Sequence, residues 1–164
     1  MTRASVITCS DRAYHNVYED RSGPVLRDAL AALGFDVADA VIVPDDVDHI
    51  EAAVADAVLA GARVVMTTGG TGIAPRDVTV EATRRLLDYE VPGIMEETRR
   101  AGLTVTDKSL LSRGLAGVVT LDGNRAFVLN APGSRGGARD TMKVVGPLLV
   151  HIVDQLDGAD HPMD

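Results

Sequence analysis

Residues 63–72 read Arg63-Val64-Val65-Met66-Thr67-Thr68-Gly69-Gly70-Thr71-Gly72. A β-branched apolar run passes directly into a cluster of glycines. The run over 63–68 is continuous rather than alternating, which predicts a strand covered on both faces. The glycines that follow let backbone N–H groups approach a ligand with no Cβ in the way. Consecutive amides of mixed hand make an anion-binding nest. A tight turn after a strand has the same composition, and a short glycine motif does not separate the two. The hydroxyls of Thr67, Thr68 and Thr71 tilt the balance toward phosphate.

Further strands are predicted over 4–9 and 35–43. A helix over Ser22–Leu33 carries Val25, Leu26, Ala29, Leu30 and Leu33 on one face, with Pro24 in its first turn and Gly34 as its stop. Asp45 or Asp46 caps a second helix whose inner face is Val47, Ile50, Val54, Ala57 and Val58. Residues 10–21 and the segment through Asp77 read as loops. Helices follow over 80–88 and 92–101, the second opened by Pro92 and closed by Gly102. Residues 116–129 form a hairpin about Asp122-Gly123, the favoured type I′ pair. Beyond Ser134 the stripe Ala138, Met142, Val145, Leu149, Ile152 and Leu156 is helical, and Pro147 predicts a kink or two abutting helices. This order predicts an α/β fold, a three-layer αβα sandwich with a mostly parallel central sheet and an antiparallel edge hairpin. One domain is expected over 1–157, with a frayed tail at 158–164.

Composition narrows the function. The chain has 164 residues, 46% hydrophobic and only 3% aromatic, so its core must be built from Ala, Val, Leu and Ile. A formal net charge of −8 and no basic run argue against nucleic acid. An anionic small ligand needs local help from amides, a few arginines or a divalent cation. Lys108 and Lys143 are the only lysines, and neither completes a P-loop. One cysteine, Cys9, fits a reducing compartment and reads as a small core residue. No apolar stretch has the length of a membrane span or of a signal sequence, so a cytoplasmic chain is expected.

In open α/β sheets ligands bind beyond the carboxyl ends of the strands. Those ends carry Cys9-Ser10-Asp11-Arg12, Pro44-Asp45-Asp46, Thr68 to Gly72, and Asn130-Ala131-Pro132-Gly133-Ser134. If the strands are parallel, the four segments share one rim. Asp45 and Asp77, from separate loops, are the candidate pair for Mg²⁺, which takes one or two carboxylates plus phosphate oxygens and water. Each also has a plain structural reading, Asp45 as a helix cap and Asp77 as an Asx turn. Ser134 caps the last helix, whose unpaired first amides offer an anion site. Arg76, Arg113 and Arg135 lie in loops nearby as phosphate partners or as solvated surface arginines.

These segments together resemble the molybdenum cofactor biosynthesis family. Within it the chain is most similar to bacterial molybdopterin adenylyltransferases and to the matching domains of the plant enzyme and gephyrin. The resemblance runs in order through Ser10-Asp11-Arg12, Asp20-Arg21-Ser22-Gly23-Pro24, Val43-Pro44-Asp45-Asp46, Thr68 to Gly72, and Pro75-Arg76-Asp77-Val78-Thr79 with Glu81-Ala82-Thr83. It continues through Val91-Pro92-Gly93, Leu111-Ser112-Arg113 and Asn130 to Ser134. Ala131 and Arg135 depart from the family's usual residues. The resemblance implies AMP transfer from ATP to the terminal phosphate of molybdopterin, with Mg²⁺ as cofactor and ATP as co-substrate. It implies catalytic and metal roles for Asp45 and Asp77. Thr68, Gly69, Gly70, Thr71, Gly72, Ser112, Pro132, Gly133 and Ser134 would hold phosphate or substrate, and Ser10, Asp11 and Asn130 the nucleotide. It further implies a homotrimer and a molybdenum insertase partner. A pterin-binding paralogue without efficient adenylylation and a non-enzymatic scaffold module are the alternatives.

Overall fold

A computed structural model describes residues 1–158. Strand β4 (Val64–Thr68) lies at the centre of the sheet, between β1 (Arg3–Cys9) and β7 (Asn124–Ala131), and it is parallel to both. All five of its residues are buried, as the unbroken apolar run requires. On the other side of β7 the sheet continues antiparallel through β6 (Ala116–Leu121) to β5 (Tyr89–Glu90). Asp122 and Gly123, both at positive φ (47° and 79°), make the β6–β7 turn, which accounts for the Asp-Gly pair. The second hairpin strand, β7, runs beyond the predicted 129, to Ala131.

Beyond β1 the predicted strand over 35–43 is two short pieces, β2 (Asp36–Val37) and β3 (Val41–Val43), each parallel to a different end of β1. The apolar composition was read correctly, but three residues between them leave the ladder.

Helices cover both faces. Leu26 and Leu30 of α2 (Ser22–Ala32), Met95 of α5 (Pro92–Gly102), Met142 and Val145 of α6 (Arg135–Val145), and Leu149 and Val153 of α7 (Leu149–Leu156) pack with Val64, Met66 and Leu129 on one face. Ile50, Val54 and Val58 of α3 (Val47–Leu59) and Ala82 of α4 (Thr79–Arg84) pack with Val65 and Val128 on the other. Successive strand side chains point to opposite faces, so Val64 and Met66 serve one layer and Val65 the other. Each fully buried Val, Ile or Leu contributes about 1.5–3 kcal/mol. The three-layer sandwich with an antiparallel hairpin is therefore as predicted.

The differences are local. A single helical turn, α1 (Asp11–Tyr14), interrupts the segment read as loop, capped by the Ser10 side chain. The predicted helix 80–88 stops at Arg84, because Asp88 and its neighbours turn to meet β6. A 3-10 turn over Asp107–Leu111 was not foreseen. At Pro147 the chain passes through a 3-10 turn, Gly146–Leu148, and resumes as α7, giving the two abutting helices expected of a residue without an N–H. Most of the tail assigned to fraying, 158–164, lies outside the described residues. No helix among the described residues is long and apolar enough to cross a membrane.

Candidate functional site

The ends of β1, β3, β4 and β7 do meet at one rim, since all four strands run in the same direction. At its centre is the glycine loop. Gly69 and Gly70 both have positive φ, 93° and 67°. A Cβ on Gly69 would stand 2.4 Å from the Cys9 carbonyl oxygen, so the close approach of β1 excludes any side chain there. The Gly69 amide donates to the Ala131 carbonyl at 3.1 Å and so serves the fold. The amides of Gly70, Thr71 and Gly72 make no hydrogen bond among the described residues and remain for an anion.

The two candidate carboxylates flank this loop. A Cβ on Gly70 would lie 3.4 Å from Asp45 Oδ1, and one on Gly72 would lie 2.7 Å from Asp77 Oδ2. Asp46, not Asp45, caps α3: its carboxylate accepts the His49 amide at 3.0 Å. Asp45 is thereby left to turn toward the rim. Its Oδ2 accepts the Asp11 amide at 2.9 Å, and Asp11 Oδ1 accepts the Asp45 amide at 3.0 Å. This reciprocal pair ties the end of β3 to the end of β1. Asp77 Oδ2 accepts the Ala74 amide at 3.0 Å, which fixes its loop.

Burial pushes the Asp45 carboxyl above its ordinary pKa, and the charges of Asp11 and Asp77 push it the same way, against the Asp11 amide and Arg76. Asp11 itself is held low, chiefly by its hydrogen bond from Arg76 (2.6 Å). Burial and the neighbouring carboxylates disfavour the charged form of Asp45, and a divalent cation beside it would favour that form. Among the described residues no group of three His, Cys, Asp or Glu side chains converges as a metal site. The carboxylates suit a cation that completes its shell with phosphate oxygens and water, as Mg²⁺ does.

Two cavities open on the rim. The first, 220 Å³, is lined by Asp45, Asp77, Thr68, Gly69, Gly70 and Gly133 together with Thr8, Ser10, Tyr18, Asp20, Arg21 and Ser22. The second, 360 Å³, is lined by Thr71, Gly72, Ser112, Pro132 and Ser134, by Gly136 and Gly137 at the start of α6, and by Thr98, Arg99, Lys108 and Asp140. The glycine loop and the Pro132–Ser134 segment form a wall common to both. Ser134 Oγ accepts the Gly137 amide at 3.0 Å, so it caps α6 and also faces the second cavity. Ser112 Oγ lies 3.5 Å from Thr71 Oγ1.

Of the residues expected at the site, Asn130 is a correction. It is fully buried, its amide nitrogen donates to Thr67 and Thr83 hydroxyls (2.9 Å each) and its oxygen accepts the Leu115 amide at 3.0 Å. With both N–H groups and its oxygen engaged inside the protein, it cannot read a nucleotide; it clamps β7 to β4, α4 and the start of β6. Ser10 and Asp11 stand at the first cavity's edge, but the Ser10 hydroxyl caps α1 and both Asp11 oxygens are engaged. Arg76 is consumed by Asp11. Arg113 donates to the Gly72 and Asp77 carbonyls (2.8 and 3.0 Å) and pairs with Glu81, bracing the loop rather than facing a ligand. Thr68 donates to the Pro132 carbonyl at 2.8 Å. Cys9 is buried, and its thiol is pushed up to about 12 by that burial, with Thr79 hydrogen bonding opposing and the Asp45 charge adding. It is inert, as read.

The sequence reading gave no role to Thr8, Tyr18, Asp20, Arg21 or Ser22. Asp20 Oδ1 accepts the Gly23 amide at 3.0 Å and Oδ2 the Thr8 hydroxyl at 2.8 Å. The signal was available in Asp20-Arg21-Ser22-Gly23-Pro24, an acid three residues before a helical Gly-Pro. For Arg99, Lys108 and Asp140, scattered over three elements, no local signal exists.

The family description "probable molybdopterin binding domain" matches residues 5–151. The chain belongs to this family. The chain is 40% identical over 158 residues to a molybdenum cofactor biosynthesis bifunctional protein of Synechococcus elongatus, covering 96% of this chain and 48% of that one. It thus spans about half the length of the bifunctional relatives it matches. It is 34% identical over 148 residues to a molybdopterin adenylyltransferase of Pyrococcus furiosus, covering 90% and 87% of the two chains. The molybdopterin biosynthesis Mog protein of Mycobacterium ulcerans superposes with a TM-score of 0.87 at 38% identity, covering 95% of this chain and 99% of that one. The fold of this family follows.

Proposed function

We propose that this protein is a molybdopterin adenylyltransferase, transferring AMP from Mg-ATP to the terminal phosphate of molybdopterin and releasing pyrophosphate. The observation that carries the proposal is the pair of cavities sharing one glycine-rich wall, with Asp45 and Asp77 beside it. The acidic cavity suits the nucleotide and the larger one the pterin. A phosphate in each then meets across Gly70 to Gly72, whose unused amides point to anionic oxygens. Being held in line converts a bimolecular encounter into a positioned one.

An oxygen of the pterin phosphate forms a bond to the α-phosphorus as the bond from that phosphorus to its bridging oxygen breaks, and pyrophosphate departs with the electron pair. The amides of the loop hold the non-bridging oxygens where charge gathers. Asp45 and Asp77 would hold Mg²⁺, which neutralises phosphate charge when bound. The Pyrococcus relative's name supports this chemistry. A homotrimer, the assembly that the family resemblance implies, would offer cover for exposed apolar side chains such as Ile73, Val105, Leu110 and Leu111. The bifunctional relatives, about twice as long, support a second cofactor-biosynthesis activity as partner, here a molybdenum insertase.

The test is an assay of the purified protein with molybdopterin and Mg-ATP, following pyrophosphate release. Asp77→Asn should lower turnover by about a hundredfold or more while leaving the melting temperature in place. No pyrophosphate from the unaltered protein would refute adenylyl transfer, and a normal rate in the variant would refute the role of the carboxylate.

A further inference from the structure

Beside the acidic cavity two cations gather on one aromatic ring, that of Tyr18, which lines it. The Arg12 guanidinium stands 5.1 Å from the centre of the Tyr18 ring and that of Arg21 stands 5.5 Å from it. Tyr18 and Arg21 line the cavity. The backbone beneath is pinned: the Arg12 carbonyl accepts the amides of both Val17 and Tyr18 (2.8 and 3.1 Å). Arg21 follows Asp20, whose carboxylate is fixed to Thr8 and Gly23. Among the described residues neither arginine pairs with a carboxylate. This sets them apart from Arg76 and Arg113, which Asp11 and Glu81 occupy. Two guanidinium groups attracted to one ring repel each other, and an anion between them removes that repulsion. Their planar N–H forks match phosphate oxygens.

We infer that Arg12 and Arg21, gathered by Tyr18, hold the outer phosphates of a nucleoside triphosphate and then the pyrophosphate it releases. The inference rests on the adenylyl-transfer reading above. The cavity's other charged lining residues, Asp20, Asp45 and Asp77, are anionic. A polyphosphate that enters past them needs positive charge at its outer end, and these two side chains supply it. Tyr18 is a positioning residue: it aims the arginines and does not itself read the base.

Calorimetric titration of the full chain with Mg-ATP, AMP and Mg-pyrophosphate tests this. Arg12→Gln and Arg21→Gln should each weaken Mg-ATP and Mg-pyrophosphate about tenfold, the worth of one charge-assisted hydrogen bond. AMP affinity should stay within about twofold, a difference of a few tenths of a kcal/mol. Tyr18→Leu should reproduce that pattern and Tyr18→Phe should behave as the unaltered protein, since a phenyl ring keeps the cation–π attraction. Equal weakening of AMP and Mg-ATP in Tyr18→Leu would show the ring stacking on the base and overturn the inference. So would unchanged pyrophosphate binding in both arginine variants. An unaltered protein that binds no nucleotide at all would instead overturn the adenylyl-transfer reading beneath it.

Discussion

Consider replacing Gly70 by alanine. Its φ of +67° is one that an L side chain adopts at a cost of about 1–2 kcal/mol. The added Cβ would sit 2.2 Å from Thr79 Oγ1 and 3.2 Å from Thr79 Cβ. Thr79 is completely buried, so its hydroxyl cannot swing into solvent. Overpacking of that kind costs about 1–3 kcal/mol. Together these predict that Gly70→Ala unfolds more easily by about 2–5 kcal/mol in a urea titration. The steric part is separable. Thr79→Ala removes the clashing oxygen, so the double variant should recover about 1–3 kcal/mol of the loss, a coupling energy of the size found for residues in contact. The backbone part should persist. A destabilisation under about 0.5 kcal/mol, the level of an ordinary surface change, would refute the strained-loop reasoning. A double variant that simply adds the two losses would refute the contact with Thr79.

Asp45 gives a pH prediction. Its folded pKa is raised, so its contribution to stability is complete below the ordinary value of 3.8 and is lost as pH rises through the folded value. Asp45→Asn should therefore melt higher than the unaltered protein at neutral pH, and the advantage should vanish in acid; a gain that is independent of pH would reject the assignment. Asp20→Ala should cost about 1–2 kcal/mol, as for loss of a helix cap, because it frees the Gly23 amide and strips the Thr8 hydroxyl; an unchanged denaturation midpoint contradicts this. Cys9 should resist alkylation at pH 8 and react once the chain is unfolded, because burial holds its thiol near 12; rapid labelling of the folded protein would show that β1 opens locally.

The sandwich was legible because the evidence for it is periodic and local. Val64 to Thr68 is too apolar for a one-sided strand, Asp122-Gly123 demands a turn, and Pro147 breaks a helix wherever it falls. The rim was legible because parallel strands deliver their ends to one side. What escaped the sequence was decided between distant residues. Whether Asp45 or Asp46 capped α3 depended on Asp11, which is 34 positions away and offers its amide to one of them. Asn130 looked like a ligand residue because it ends a central strand, but its direction is set by Thr67 and Thr83. Arg76 and Arg113 carry the same charge as any loop arginine until Asp11 and Glu81 are folded beside them.

The wall between the two cavities is a single stretch of backbone, Gly69 to Gly72, braced by Arg113 from one flank and by Pro132 to Ser134 from another. A guest that displaced this stretch on one side would alter the room on the other. Such linkage runs equally in both directions: whatever factor the first guest lends to the second, the second returns. Two compartments divided by one run of backbone have the geometry in which a guest in either can tune the room left for the other.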